Sequence, residues 1–524
     1  MPWRGVDANA GGRAMIAWVA RGLAAAAGLH PALEPPGRFS RRVSRLAALL
    51  VTGAQPVIAQ GVRISGTTAV DYAEIQPIVL DSVPISATVD SGLLRHTANG
   101  TVVECLGSDQ YCGYYRSAGI VSTAPIRQEL TATAWGIAPG LSAYADAEVR
   151  TAVGSAGEIW PLSNQHFDLF AAYGEYDATG FRARLGRQWT TSPLGYYAYD
   201  GASVFGTPLA GLSAEIYGGW GLAQALTYPR TSSAISAVEE LAPSDRGYII
   251  GATIDYSPAR IAGITVQYQR EIATDFSGLY SERIAGSANL QLGRALVNGQ
   301  VVYDIATGDV NDARLRADVP LGRQWGVSAE VRHYVPFFEL WTIWGAFSPV
   351  GYGQGRLTAH WTSSDQRIRL EVDGDYRQFA NTDAGLTFLP LRSNGFDVGA
   401  AGSWRVVPAW SVSGGYHVIV GPGASRSDFN AGVQWHAGDR TTLGLTGTAF
   451  QTIDEFSVGT GRVWGLAVDG GVRIFGDLRA DGDAGVYRNT GEDMPQIANW
   501  NQARASVRLV WVVGRDPGMS RMHW

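Results

Sequence analysis

The chain of 524 residues has no lysine, so arginine and histidine are its only cationic side chains, and it has two cysteines. Charged side chains make up 17% of the total, sparse against the roughly 25% usual for a soluble domain. The net charge is −6 and no basic stripe stands out, which argues against a nucleic-acid partner. No run approaches the roughly 18 uninterrupted apolar residues that a spanning helix needs. That absence does not exclude a membrane, because barrel strands interleave their apolar residues with polar ones and escape hydropathy windows. There is no H-E-x-x-H pair, no G-x-S-x-G elbow and no C-x-x-C-H. His96, His166, His333, His360, His417, His436 and His523 are scattered, and no metal-ligand set or cofactor is expected.

The two cysteines, Cys105 and Cys112, lie in VECLGSDQYCGYY. Their spacing suits a small loop disulfide in an oxidising compartment, and too few ligands surround them for zinc. The N-terminal region agrees with export. In RRVSRLAALLVTGAQPVIAQG, Arg41, Arg42 and Arg45 precede an apolar stretch, and small residues end at Ala59. Signal-peptide cleavage is therefore expected between Ala59 and Gln60.

What the chain has in quantity is glycine (66), tyrosine (22) and tryptophan (17), arranged on a period of two. In RIRLEVDGDYR, residues 367–377, Ile368, Leu370, Val372 and Gly374 share one parity. Arg367, Arg369, Glu371, Asp373, Asp375 and Arg377 share the other. Side chains alternate across a strand, so the segment has one apolar and one ionic face. The scheme recurs in LSAYADAEV (141–149), GITVQYQ (263–269), ARLRADV (313–319), WGVSAEVR (325–332) and ARASVRLVWVV (503–513). One segment, SSAISAVEELA (232–242), reads as helical inside a long connection.

Connection lengths alternate as well. Tight turns fall at 138–140, 177–179, 258–260, 293–294, 322–323 and 438–440, and longer links at 153–166, 221–247, 336–351, 379–393 and 490–501. Short on one end and long on the other is the habit of outer-membrane barrels, and a soluble sandwich has no reason to sort its loops so. The sequence predicts an all-β transmembrane antiparallel up-and-down barrel of about 22 strands, within a range of 18–26. The expected organisation is an extension and signal over 1–59, with the signal itself at about 41–59. A first strand and a disulfide-containing loop or partial plug follow over 60–126, then the barrel over 127–513 and a tail over 514–524. Trp325, Trp361, Trp404 and Trp410 fall near strand ends, where interfacial rings are favoured. The aromatic patch VPFFELWTIWGAFSPVGYG (335–353) is placed at the outer end.

Over residues 61–513 the chain resembles bacterial outer-membrane porin-type β-barrels, in its export signal, alternation, loop asymmetry and aromatic strands. GRQWTTSPLGYYAYDGASV (186–204) is similar to the GRQ…YDG segments of such barrels. A terminal aromatic on the last strand is usual there, whereas GRDPGMSRMHW follows the final strand here. The resemblance implies an outer-membrane location and insertion by the barrel-assembly machinery. It further implies a passive or weakly selective channel for small hydrophilic solutes rather than an enzyme.

Pore-lining candidates by parity are Arg182, Arg184, Arg314, Arg316, Asp318, Glu330, Arg332, Arg356, His360, Arg369, Glu371, Asp373, Arg479, Asp481, Asp483 and Arg508. Both signs are interspersed, so strong ion selectivity is not expected. Two further readings stay open. One is a scaffold or sheath for a surface or electron-transfer partner, with homo-oligomerisation also allowed. The other is a barrel hydrolase, for which His360 and His417 share the ionic parity.

Overall fold

The computed structural model describes residues 61–90, 95–105, 110–154, 167–222, 247–259, 261–272, 279, 281–335, 351–380, 393–421, 425–455, 459–491 and 499–514. The signal and its cleavage point at Ala59–Gln60, the helical reading of 232–242, most of the aromatic patch (336–350) and the tail beyond Gly514 lie outside these residues.

The first strand, β1 (Gly61–Ile75), is followed by five short strands: β2 (Ile78–Pro84), β3 (Thr88–Asp90), β4 (Arg95–Thr97), β5 (Val102–Val103) and β6 (Tyr111–Ser117). The chain then returns to the wall as β7 (Val121–Ala138), β8 (Leu141–Gly154), β9 (Phe167–Ala178), β10 (Phe181–Ser192), β11 (Gly195–Leu209), β12 (Leu212–Gly221) and β13 (Tyr248–Ala259). It continues as β14 (Ala262–Ile272), β15 (Ser281–Leu292), β16 (Ala295–Asp304), β17 (Asp309–Leu321), β18 (Trp325–Tyr334), β19 (Tyr352–Thr362) and β20 (Ile368–Phe379). The last wall strands are β21 (Asn394–Val407), β22 (Trp410–Val420), β23 (Ser425–Ala437), β24 (Thr441–Glu455), β25 (Gly459–Phe475), β26 (Leu478–Gly491) and β27 (Trp500–Gly514).

These wall strands form a 22-stranded antiparallel sheet in which β1 pairs with both β7 and β27, closing the ring. Closure satisfies every strand edge, the condition for a sheet in lipid. The strand number expected from the sequence is the one observed. Strands β2–β6 do not enter the ring. Strand β2 pairs with β6, β3–β5 form a separate three-stranded sheet, and the Cys105–Cys112 disulfide ties the latter region to β6. This excursion leaves from the end of the wall that carries the long connections.

The parity read from sequence is kept through most of the wall. Leu357 is 57% exposed and Val372 55%, as are Leu315, Val331, Val398, Leu466, Val486 and Val507 to similar degrees. An apolar ring of this extent greatly exceeds the few hundred Å² that a soluble monomer exposes. Trp325 touches Trp361 and Trp410 touches Trp435 near the tight-turn ends of their strands. Trp220 and Tyr248 pair at the opposite end. Two aromatic belts flanking an apolar band match the profile of a bilayer.

Candidate functional site: an inward hairpin and the cavity it closes

Most of the wall's ionic face is neutralised locally. Residues i and i+2 of a strand lie on the same face, and several opposite charges use that spacing. Arg316 meets Asp318 at 2.8 Å, Arg369 meets Glu371 at 3.4 Å, Arg377 meets Asp375 at 3.0 Å and Arg479 meets Asp481 at 2.6 Å. Neighbouring strands supply the other pairs. Arg184 is 2.6 Å from Glu175, Arg332 is 2.7 Å from Asp312 and Arg356 is 3.4 Å from Asp373. Arg182 lies 4.9 Å over the Phe205 ring, and Arg314 donates to Gln300 at 3.4 Å. Asp318 also accepts from Ser328, and Asp483 accepts from Ser506. Glu330 stands in register opposite Arg316 on one side and Arg356 on the other, and His360 opposite Glu371.

The sequence reading did not bring together the residues that gather around Asp373. Asp375, Arg377, Asp397 and His417 join it through the β20–β21–β22 register. Asp373, Asp397 and His417 bring their ligand atoms within 4.8 Å of one another. His417 Nε2 contacts Asp397 directly, Arg377 lies 3.5 Å from Asp397, and Arg356 holds Asp373. Arg356, Arg377 and His417 lie against the three carboxylates, so the cluster reads as an ionic network rather than as a metal-ligand set.

The wall departs from regularity at β10–β11. Pairing of β10 with β9 ends at Arg187↔Ala172, and pairing of β11 with β12 ends at Tyr199↔Gly221. Beyond those points β10 and β11 pair with each other, up to Ser192↔Gly195, with one further backbone tie to the wall where the Leu222 N–H donates to the Ala198 carbonyl at 2.8 Å. The hairpin therefore leaves the wall, and its contacts say where it goes. Leu194, at the tip, is 2% exposed and packs on Ala285 of β15 and Val302 of β16. The Tyr197 hydroxyl accepts from Arg283, and Tyr197 and Tyr199 bury against Tyr217 and Ile249. A hairpin from β10–β11 can reach the polar parity of β15 and β16 only across the concave side. It lies inside the barrel.

Glycine permits the bend. Gly186 has φ +133°, and a Cβ there would sit 2.2 Å from the Ala172 carbonyl oxygen. A Cβ on Gly201 would lie 2.0 Å from the Gly218 oxygen and 2.6 Å from the Gly219 Cα. No side chain fits either place, so the two strands turn inward where backbone meets backbone. Arg187 and Asp200 lock the base, at 2.7 Å. Next to the departure point β9 carries a bulge at Phe170, where its register against β8 shifts.

The fold reverses what parity means along the hairpin. Gln188, Tyr197 and Tyr199 continue the wall's inner parity and press onto the wall, with Gln188 accepting from the Ser203 hydroxyl. Trp189 and Tyr196, which a straight strand would turn toward lipid, face the lumen. They stack with ring centroids 5.7 Å apart. They share a cavity of about 550 Å³ with Thr67 and Ala69 of β1, Arg127 and Glu129 of β7, Asp146 and Glu148 of β8, and Arg508 and Val510 of β27. A second cavity, of about 990 Å³, opens at the tight-turn end and is lined by Arg323, Arg367, Arg369, Arg405 and His436 among serines and glutamines. Of the residues anticipated from sequence, the hairpin cavity gathers Arg508 together with Asp146 and Glu148, the acids on the ionic parity of LSAYADAEV. Arg369 lines the second one, and the rest are distributed along the wall.

No family model matches the chain, and no curated protein does. Among solved structures it is similar to OccK8 (OprE) of Pseudomonas aeruginosa, at 10% identity, covering 87% of this chain and 99% of that one with a TM-score of 0.36. OpdQ of Pseudomonas aeruginosa matches at 10% identity over 88% and 100%, with a TM-score of 0.35. OccK2 (OpdF) of the same organism, in complex with glucuronate, matches at 11% over 86% and 98%, with a TM-score of 0.34. Likeness at this level decides nothing by itself, and the architecture stands on the strand pairing: a closed, porin-like β-barrel of 22 strands with one hairpin turned into its lumen.

Proposed function

We propose that the protein is a channel of the Gram-negative outer membrane through which small hydrophilic solutes diffuse, narrowed by the β10–β11 hairpin. The inward hairpin carries this reading. A ring of 22 strands encloses a lumen too wide to sieve small solutes unless something enters it. The hairpin with its side chains takes up roughly 10 Å of that width. It is anchored by Leu194 and Tyr197 rather than left to swing. The apolar outer band and the two aromatic belts support residence in lipid, and the ionic inner parity supports a wet lumen. The wall residues named from sequence, from Arg182 to Arg508, would line the path. Their local pairing leaves them little net field, so discrimination would fall to the hairpin.

Purified protein added to a planar lipid bilayer should give discrete, ohmic conductance steps. Protein that inserts, as judged by co-flotation with vesicles, and yet passes no current would refute the channel reading.

A further inference from the structure

We infer that the cavity beneath the hairpin binds organic cations, with the Trp189–Tyr196 pair as platform and Glu129 and Asp146 as counter-charges. The assignment rests on the channel reading for its biological use, but the site itself can be tested without any current.

The charge balance of the cavity differs from that of the wall around it. Glu129 stands directly opposite Glu148 in the β7–β8 register, an arrangement that costs stability. Glu148 is neutralised, since Arg150 contacts it and also reaches Asp168 at 3.1 Å. Arg127 is likewise engaged, 2.8 Å from Asp71. Asp146 accepts from the Thr131 hydroxyl at 3.4 Å, and neither Asp146 nor Glu129 has an arginine within ion-pairing distance among the described residues. Arg508 is the cation that remains on the lining, against two carboxylates. The cavity is thus short of positive charge, whereas most arginines elsewhere on the wall pair at i, i+2 or with a neighbouring strand.

The aromatic pair supplies a second feature, independent of the acids. Trp189 is 50% and Tyr196 38% exposed, although both lie on a segment whose other face is buried. The negative faces of two stacked rings beside carboxylates attract a soft, weakly hydrated cation such as a quaternary ammonium or guanidinium. A small inorganic cation gains little from the rings, and an anion meets both the rings and Glu129 unfavourably. The chemical class is therefore an alkylammonium or guanidinium solute small enough for a cavity of about 550 Å³.

The probe is choline, compared with its uncharged isostere 3,3-dimethyl-1-butanol, measured by calorimetry on the detergent-solubilised full-length protein. Saturable binding of choline and none of the isostere is expected. Trp189→Leu should weaken choline by about tenfold, the loss of one good cation–π contact. The double variant Glu129→Gln, Asp146→Asn should weaken it at least as much. Equal binding of both probes, no choline binding, or a Trp189→Leu protein that binds as wild type would each overturn the assignment. The same protein in a bilayer separates the two readings. Conductance without choline binding removes the site and keeps the channel. Choline binding without conductance does the reverse.

Discussion

Replacing residues 189–198 by an Asn-Gly turn is expected to raise single-channel conductance several-fold while the barrel still assembles. Gln188 and Tyr199 are register partners, so a two-residue type I′ turn joins them without a change of strand geometry. The wall ladders end before the excised residues, at Arg187↔Ala172 and Tyr199↔Gly221, and one backbone hydrogen bond from the wall reaches them, from the Leu222 N–H to the Ala198 carbonyl at 2.8 Å. What the deletion removes is the packing of Leu194 on Ala285 and Val302, that of Tyr197 on Tyr217 and Ile249, the Arg283–Tyr197 contact and the Leu222–Ala198 hydrogen bond. Those groups then border water inside the lumen, while the wall ladders that carry them stay paired. The obstacle is gone and the cross-section grows. Conductance equal to wild type from a correctly folded deletion would mean that the narrowest point lies elsewhere.

The second large effect is on the outer face. Leu357→Arg should destabilise the barrel by about 2–4 kcal/mol, the cost of an arginine facing lipid at the bilayer midplane. Leu357 sits midway along β19 and is 57% exposed on the apolar parity. Thr358→Arg, one residue on, places the same charge on the inner parity opposite Ser328 and Asp373 and should be nearly neutral. Urea unfolding in lipid vesicles measures both. Equal costs for the two variants would deny any difference between the faces.

The strands, their alternation, the sorting of the loops and the disulfide were legible because each is a local signal of period two, of turn chemistry or of cysteine spacing. The wall charges from Arg314 to Asp373 were named on the same signal, and that they line a path for solutes is a proposal. The hairpin was not, because its strands alternate like any other and its bend depends on two glycines meeting backbone across strands. A sign was present nonetheless. Arg187 and Asp200 fall on the parity that elsewhere faces lipid, where a charge is costly, and only a strand that leaves the wall can afford them. Glu129 and Asp397 were missed, and His417 was not joined to Asp397, for another reason. Their neighbours are set by inter-strand register, which turn lengths and bulges decide and which a single strand does not reveal. The excursion over 76–120, with its disulfide, pairs with itself in the described residues, and we propose that it caps the mouth.

The most direct test is a nitroxide scan through residues 370–373, since with Cys105 and Cys112 joined an introduced cysteine is the single free thiol. In liposomes, labels at Leu370 and Val372 should be reached by dissolved oxygen and not by a water-soluble nickel chelate, and labels at Glu371 and Asp373 should show the opposite preference. Four sites with one common accessibility, or the pattern inverted, would contradict a barrel whose apolar parity meets lipid and whose ionic parity encloses water.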